Sequence, residues 1–296
     1  MATRRFFILI RRFRITDDMK KDANNGPSIG LALGGGVARG LAHVGVLQAM
    51  EDNQLFPNCI SGTSAGAFVG AMYAFGMPVS EIYERAAKLR WPNLSSPAVS
   101  SLGLASNQAI GKIINEVVGR VNIEESIIPL LIVATDIETG EEVVIKKGDL
   151  GEAVMASTCL PGIFKPVSRG GRLLVDGGLV DNVPVEPLKK NGIDVVVAVN
   201  VSPHGKYRKP VHVIDVMLNV YDIATDTATA NKLQMADVVI APNVASYSRT
   251  NLKQLPALYK EGYEATVAAI PKIKEAMRIK TLGRLSKLGR YLGLKS

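Results

Sequence analysis

Ser28-Ile29-Gly30-Leu31-Ala32-Leu33-Gly34-Gly35-Gly36-Val37-Ala38-Arg39-Gly40 is the stretch that decides the fold. Residues 28–33 form a short apolar run, which reads as a strand buried on both faces. Three consecutive glycines end it. Leu41, Val44, Leu47 and Met50 follow at the spacing of one helical face. A buried strand that turns through glycines into a helix is a βα unit, and the chain repeats the theme. Ile60 and its neighbours predict a second short strand and Ala67–Phe75 a second helix, with Gly62-Thr63-Ser64-Ala65-Gly66 between them.

Further along, residues 129–136 (Pro-Leu-Leu-Ile-Val-Ala-Thr-Asp) predict another buried strand, and Glu141–Lys146 its neighbour after a Thr139-Gly140 turn. Helices are expected over 80–89, 107–118, 150–159, 212–234 and 255–277, the last kinked at Pro271. Strands are expected over 172–176, 193–201 and 236–241, and the Pro/Ser/Asn-rich stretch 91–106 reads as a loop. Strands alternating with helices predict an α/β three-layer sandwich, with a mainly parallel central sheet and helices on both faces. The expected organisation is a basic extension and linker at 1–27, one domain over 28–277, and a basic amphipathic tail at 278–296.

Composition agrees. The 296 residues are 47% hydrophobic but only 5% aromatic, which favours aliphatic strands under helices over a β-sandwich. Two cysteines, Cys59 and Cys159, supply neither a disulfide framework nor a metal spacing, and both lie in apolar settings expected to bury them as free thiols. The three histidines, His43, His204 and His212, are scattered, so no zinc site is expected. No apolar run reaches the ~20 residues of a membrane span. The N-terminal Phe6–Ile10 run is interrupted by Arg11-Arg12, too short for a secretory core, and the expectation is an unexported, cytoplasmic chain. Net charge is +8. Residues 1–14 carry five arginines and no acid, and residues 272–296 carry eight Lys/Arg against Glu275 alone, so the body between is mildly acidic.

Three pieces of chemistry converge. Ser64 lies between a strand and a helix with glycine on both sides, which is how a weak nucleophile is exposed on a tight turn. The Gly34–Gly36 loop points backbone N–H groups toward one place at a helix N-terminus, the makings of an oxyanion hole. Asp176 ends an apolar strand and is followed by Gly177 and Gly178, at the sheet edge where active sites collect. A serine needs a base. His204, downstream of Asp176, would complete a Ser–Asp–His order, although its Pro203-His204-Gly205-Lys206 surroundings read as a solvated loop. Alternatively Asp176 takes the proton itself, which demands desolvation to lift its pKa from ~3.9.

With these residues in place, the chain resembles the patatin-like phospholipases, in their bacterial single-domain branch. The resemblance is carried by Leu31–Gly40, Gly62–Gly66, Ala134-Thr135-Asp136, Ala156-Ser157, Pro161-Gly162-Ile163-Phe164 and Asp176–Pro184, over roughly residues 28–275. It implies a Ser64–Asp176 dyad and an oxyanion hole from the backbone of Gly34, Gly35, Gly36 and Val37. Arg39, Gly62, Gly66, Gly177 and Gly178 would support them. It implies hydrolysis of fatty-acyl esters in phospholipid or lysophospholipid without metal or cofactor. One departure stands out: aligned on Arg39-Gly40, the family pattern has glycine where this chain has Val37, and a valine is expected to keep its amide in place only with negative φ.

Rival readings remain. Gly34, Gly36 and Gly40 fit a loose dinucleotide spacing, but the next strand ends at Ser61-Gly62-Thr63-Ser64 rather than on an acid. Asp136 and Asp181 compete with Asp176 as strand-end or nearby carboxylates; both read as structural. An α/β-hydrolase-type esterase with a Ser–Asp–His triad, or a weakly catalytic lipid-binding regulatory protein, stand as alternatives. In the tail, Leu282, Leu285, Leu288 and Leu292 share one helical side and Arg284, Lys287 and Arg290 the other, the pattern of peripheral contact with an anionic membrane. Nothing in the charge runs resembles a nucleic-acid motif. The oligomeric state is left open.

Overall fold

The computed structural model describes residues 26–97, 101–202, 207 and 209–291. In chain order the strands are β1 (Ile29–Leu33), β2 (Cys59–Thr63), β3 (Ser96–Pro97), β4 (Ala105–Ser106), β5 (Leu130–Asp136), β6 (Glu142–Ile145), β7 (Val167–Arg169), β8 (Arg172–Asp176), β9 (Val195–Val199) and β10 (Val238–Ile240). The helices are α1 (Ala42–Asp52, entered through a 3-10 turn at Val37–Leu41), α2 (Ala65–Ala74), α3 (Val79–Lys88), α4 (Trp91–Leu94), α5 (Gln108–Val117), α6 (Leu150–Ser157), α7 (Gly178–Asp181), α8 (Val185–Lys190), α9 (Val213–Leu233) and α10 (Leu255–Tyr291).

The main sheet runs β10-β9-β1-β2-β5-β8-β7, with β6 also on β5. From β10 to β5 every pairing is parallel; β6, β7 and β8 join antiparallel. The period-two rule of a strand then assigns the layers. Leu31, Leu33, Ile60, Ile132, Val195, Val197 and Val199 pack into the larger core, with side chains of α1, α2, α3, α5, α6 and α10. Their alternates Ala32, Leu131, Val196 and Ala198 face a smaller core with Val185 and Leu188 of α8. The expected three-layer sandwich with a largely parallel sheet is what the chain forms, its layers unequal in thickness.

β5 is the pivot. β6 occupies one edge of it over Ile132–Thr135. The other edge is shared: β2 pairs along Leu130–Val133, and β8 takes over at Ala134, opposite Asp176. β2 runs parallel to β5 and β8 antiparallel, so their C-terminal ends meet head to head on that edge. This juxtaposition places the residue after β2, Ser64, beside the last residue of β8, Asp176.

Three local expectations change. The stretch 91–106 holds the helical turn α4 and the small β3–β4 pair, and β7 pairs with β8 through a turn at Gly170-Gly171, where the sequence has too few apolar residues to announce a strand. Helix α10 contains Pro271 and continues to Tyr291, past the expected boundary at 277. Cys59 and Cys159 are buried free thiols, as their settings indicate.

Helix α10 lies directly on α1 through two glycines. A Cβ on Gly45 would stand 1.9 Å from the Tyr259 carbonyl oxygen, and one on Gly262 2.0 Å from that of Ala42. These distances leave no room for a methyl group. Gly45→Ala is expected to lower stability by about 1–3 kcal/mol, read as a reduced urea midpoint at unchanged slope; an unchanged midpoint would mean that the helices are not in backbone contact.

Candidate active site

Ser64 stands at the junction of β2 and α2 with φ 54° and ψ −121°. A positive φ is strained for any residue with a Cβ, and tight packing holds it. A Cβ on Gly66 would lie 2.0 Å from the Leu33 carbonyl oxygen, and one on Gly62 2.7 Å from the Ala67 backbone. Only glycine lets the turn close this far. The Ser64 N–H donates to the Ser157 hydroxyl at 2.9 Å, and that hydroxyl donates to the Val133 carbonyl at 2.6 Å. The side chain of α6 thereby fixes the turn against β5.

Asp176 is fully buried. Its Oδ1 accepts the Gly178 N–H at 2.9 Å and the Tyr221 hydroxyl at 2.6 Å. Oδ2 is buried too, but accepts no formed hydrogen bond. The Ser64 hydroxyl is near enough to favour the carboxylate, so the two groups are poised without a closed hydrogen bond. Burial lifts the Asp176 pKa to about 6, against the opposing pull of Ser64, Tyr221 and the Gly178 amide. The glycines after Asp176 serve close approach: a Cβ on Gly178 would meet the Tyr221 oxygen at 1.9 Å, and one on Gly177 the Val133 carbonyl oxygen at 2.4 Å.

The glycine loop packs on the same place. A Cβ on Gly35 would lie 3.1 Å from Cβ of Ser64. Its four amides divide into two pairs. Gly34 N–H donates to Val199 and Gly35 N–H to Asn182, both backbone carbonyls, so these two tie the loop to β9 and to the α7–α8 link and are committed. Gly36 and Val37 N–H groups have no acceptor among the described residues. Of the oxyanion donors expected at 34–37, this leaves Gly36 and Val37 as candidates, because Gly34 is spent on β9 and Gly35 on the Asn182 carbonyl. Val37 has φ 50°, contrary to the negative value expected from its side chain: the valine holds a left-handed backbone, at a cost of about 1–2 kcal/mol.

Arg39 is buried and ties this loop to residues 245–247, donating from Nε to the Tyr247 carbonyl at 3.0 Å. It positions the loop and does not line the cleft. His43 is buried and lies 2.7 Å from the Gly34 carbonyl through Nε2. A carbonyl partner requires the proton on Nε2, and burial pushes the pKa down to about 4, so His43 is a neutral prop under the loop. His212 caps the start of α9. Neither touches Ser64 or Asp176, and His204 lies outside the described residues. Asp136 meets Arg172 at 3.4 Å and accepts the Glu138 N–H. Asp181 lies 3.0 Å from Lys232 Nζ, which also reaches Glu142 at 3.0 Å. Both carboxylates are thus held in ion pairs with basic side chains.

An apolar cleft of about 650 Å³, counting its mouth, opens on Ser64. Val37, Ala65, Phe68, Trp91, Leu160 and Phe164 are among its walls. Asp176 lies behind Ser64 and is not part of the wall. Sequence reasoning missed Tyr221 and assigned no role to Ser157. Tyr221 arrives from the middle of α9 with no local signal; Ser157 carried a signal only as a small polar residue in an otherwise apolar helix.

The family profile of the patatin-like phospholipases matches residues 31–189, more than half of the chain. An NTE family protein of Mycobacterium tuberculosis, itself uncharacterised, is 36% identical over 182 residues, which are 60% of this chain and 50% of that protein. The lysophospholipase NTE1 of Cryptococcus neoformans is 35% identical over 182 residues, 60% of this chain and 11% of that protein. The chain thus spans about half the length of the mycobacterial relative and far less of the fungal one. Among solved structures, VipD from Legionella pneumophila aligns with TM-score 0.48 at 13% identity, over 84% of this chain and 67% of VipD. A human group IVD cytosolic phospholipase A2 aligns with TM-score 0.46 at 11% identity, over 95% and 64%.

Ser157→Ala removes the acceptor of the Ser64 amide and the donor to the Val133 carbonyl. A loss of about 1–3 kcal/mol in unfolding free energy is expected from the buried groups left unpaired. Chemical denaturation of the variant measures it, and wild-type stability would mean that Ser157 does not anchor the turn.

Proposed function

Because the chain belongs to the patatin-like phospholipase family, we propose that it is a serine acyl-ester hydrolase that releases fatty acids from lipid esters, phospholipid or lysophospholipid, through Ser64 and Asp176. The observation that carries this reading is the buried Asp176 carboxyl. One oxygen is held by two donors, the other accepts no hydrogen bond, and the Ser64 hydroxyl lies near enough to favour the carboxylate. A carboxyl with a pKa of about 6 is ionised at neutral pH, yet basic enough to take a proton in a transition state, which answers the weakness of an ordinary aspartate as a base.

In this mechanism Ser64 Oγ attacks the ester carbonyl carbon while its proton passes to Asp176 Oδ2. The negative charge that develops on the carbonyl oxygen is met by the Gly36 and Val37 amides, with the Ala65 amide behind them at the start of α2. Collapse of the tetrahedral intermediate breaks the ester C–O bond, and the proton on Asp176 goes to the departing alcohol. Water then attacks the acyl-Ser64 ester, Asp176 takes its proton, and fatty acid and free serine result. The apolar cleft receives the acyl chain, and its lack of charged walls suits a hydrocarbon. The fungal relative, a lysophospholipase by name, and the phospholipase family itself support a lipid substrate.

A fluorophosphonate probe is expected to add to Ser64, as peptide mass spectrometry would read, and Ser64→Ala to take up none; equal labelling of that variant would overturn the nucleophile. Asp176→Asn is expected to lower turnover about 10²–10⁴-fold. His204→Ala is expected to leave turnover unchanged, and a loss matching Asp176→Asn would favour the triad instead.

The pH profile follows from the raised pKa. Only the ionised Asp176 accepts a proton, so kcat/KM on a soluble ester should rise with pH through a midpoint near 6 and fall away below it. Tyr221→Phe removes a donor that favours the carboxylate, and the midpoint should move to higher pH. An unmoved midpoint would detach Asp176 from the acid limb.

A further inference from the structure

Four large apolar side chains stand in solvent beside the site. Leu102 and Leu104, on the loop before β4, are 55% and 59% exposed. Val211 and Val213, where the chain enters α9, are 78% and 61% exposed. The two segments are neighbours, since Leu104 and Ile214 line one apolar cavity of about 850 Å³, counting its open mouth. That cavity shares Val37, Trp91, Leu160 and Phe164 with the cleft at Ser64. An unbroken apolar surface thus runs from the exposed ridge, through the second cavity, to the nucleophile.

Positive charge surrounds this ridge. Lys165 donates its backbone N–H to the Ala105 carbonyl, beside Leu104. Lys209 precedes Val211, Lys253 follows the cleft residue Leu252, and Arg90 precedes Trp91. All four are exposed, and none forms an ion pair among the described residues. The carboxylates nearby are already occupied: Asp215 accepts the Val211 and His212 amides, and Asp222 pairs with Arg249. The basic C-terminal helix is a weaker candidate for the same task than its sequence indicates, because Arg284 is committed to Asp194 at 2.7 Å.

We propose that the Leu102–Leu104 and Val211–Ile214 ridge is the face with which this protein docks on an anionic lipid surface, so that an acyl chain leaves the bilayer along apolar walls into the Ser64 cleft. An apolar ridge flanked by exposed cations free of ion pairs matches a hydrocarbon layer under anionic head groups, whereas a protein partner would call for acidic groups facing those cations. The inference rests on the lipid-ester reading above for its substrate, but the docking itself is measured without turnover.

The test uses the full chain carrying Ser64→Ala, sedimented with phosphatidylcholine vesicles with and without phosphatidylserine. Binding is expected to the anionic vesicles. Adding Leu102→Glu and Val213→Glu should weaken it by about tenfold or more; both positions lie outside the cavity walls, and an acid at the start of α9 suits the helix dipole. Lys165→Glu with Lys209→Glu should remove the preference for phosphatidylserine. With Ser64 intact, the Leu102→Glu/Val213→Glu protein should lose hydrolysis of vesicle lipid and keep that of a soluble short-chain ester. Equal sedimentation of a folded Leu102→Glu/Val213→Glu protein overturns the proposal. So does light scattering that finds a dimer dissolved by those substitutions, which assigns the ridge to a second copy. If the soluble ester is untouched by every form, the hydrolase reading fails, while the sedimentation result stands by itself.

Discussion

The meeting of two strand ends on one edge of β5 is the constraint on which the site depends. β2 and β8 approach from opposite directions and stop at adjacent positions, opposite Val133 and Ala134. Whatever follows β2 must therefore face whatever ends β8. The core supplies the precision: β2 and β5 are buried along their whole length, and a slip of one residue would turn every side chain to the wrong layer. The hydrogen bonds of Asp176 Oδ1 then fix which carboxyl oxygen is spent on the scaffold and which is left without a partner.

The site is held under strain, and the strain has visible supports. Ser64 and Val37 both adopt positive φ, each at a cost of the order of 1–3 kcal/mol. Ser157 holds the first through the Ser64 amide. The second is bracketed by Gly35, bonded to Asn182, and by Ala38, bonded to the Arg249 carbonyl. Arg39 reaches the same 245–249 segment, and Arg249 in turn pairs with Asp222 on α9, one residue from Tyr221. One connected set of contacts thus positions the loop amides and the carboxyl together.

Much of this was legible in the sequence because it is written locally. The strand–glycine–helix units, the Ser64 turn and the Asp-Gly-Gly strand end each occupy a few adjacent residues and obey periodicity and turn chemistry. The smaller core was legible less well, since α8 carries only Val185 and Leu188 to announce its face. Tyr221 was not legible at all: it lies 45 residues beyond its partner, and a tyrosine within an ordinary helical pattern gives no sign of what its hydroxyl meets. The backbone at Val37 was misjudged for a different reason. Side-chain preference argued for negative φ, and the tertiary bonds on either side prevailed. The choice of free amides could not be read either, because it depends on which carbonyls of β9 and the α7–α8 link lie opposite the loop.

The account comes down to three groups around one cleft: the Ser64 hydroxyl, the Asp176 carboxyl and the Gly36–Val37 amides. The most direct measurement is a crystal structure of the protein inactivated by an alkyl fluorophosphonate. The account predicts phosphorus bonded to Ser64 Oγ, the phosphoryl oxygen within hydrogen-bond distance of the Gly36 and Val37 nitrogens, Asp176 Oδ2 facing Oγ, and the alkyl chain among Phe68, Leu160 and Phe164. A phosphonate on another residue, or a phosphoryl oxygen turned away from that loop, would contradict it.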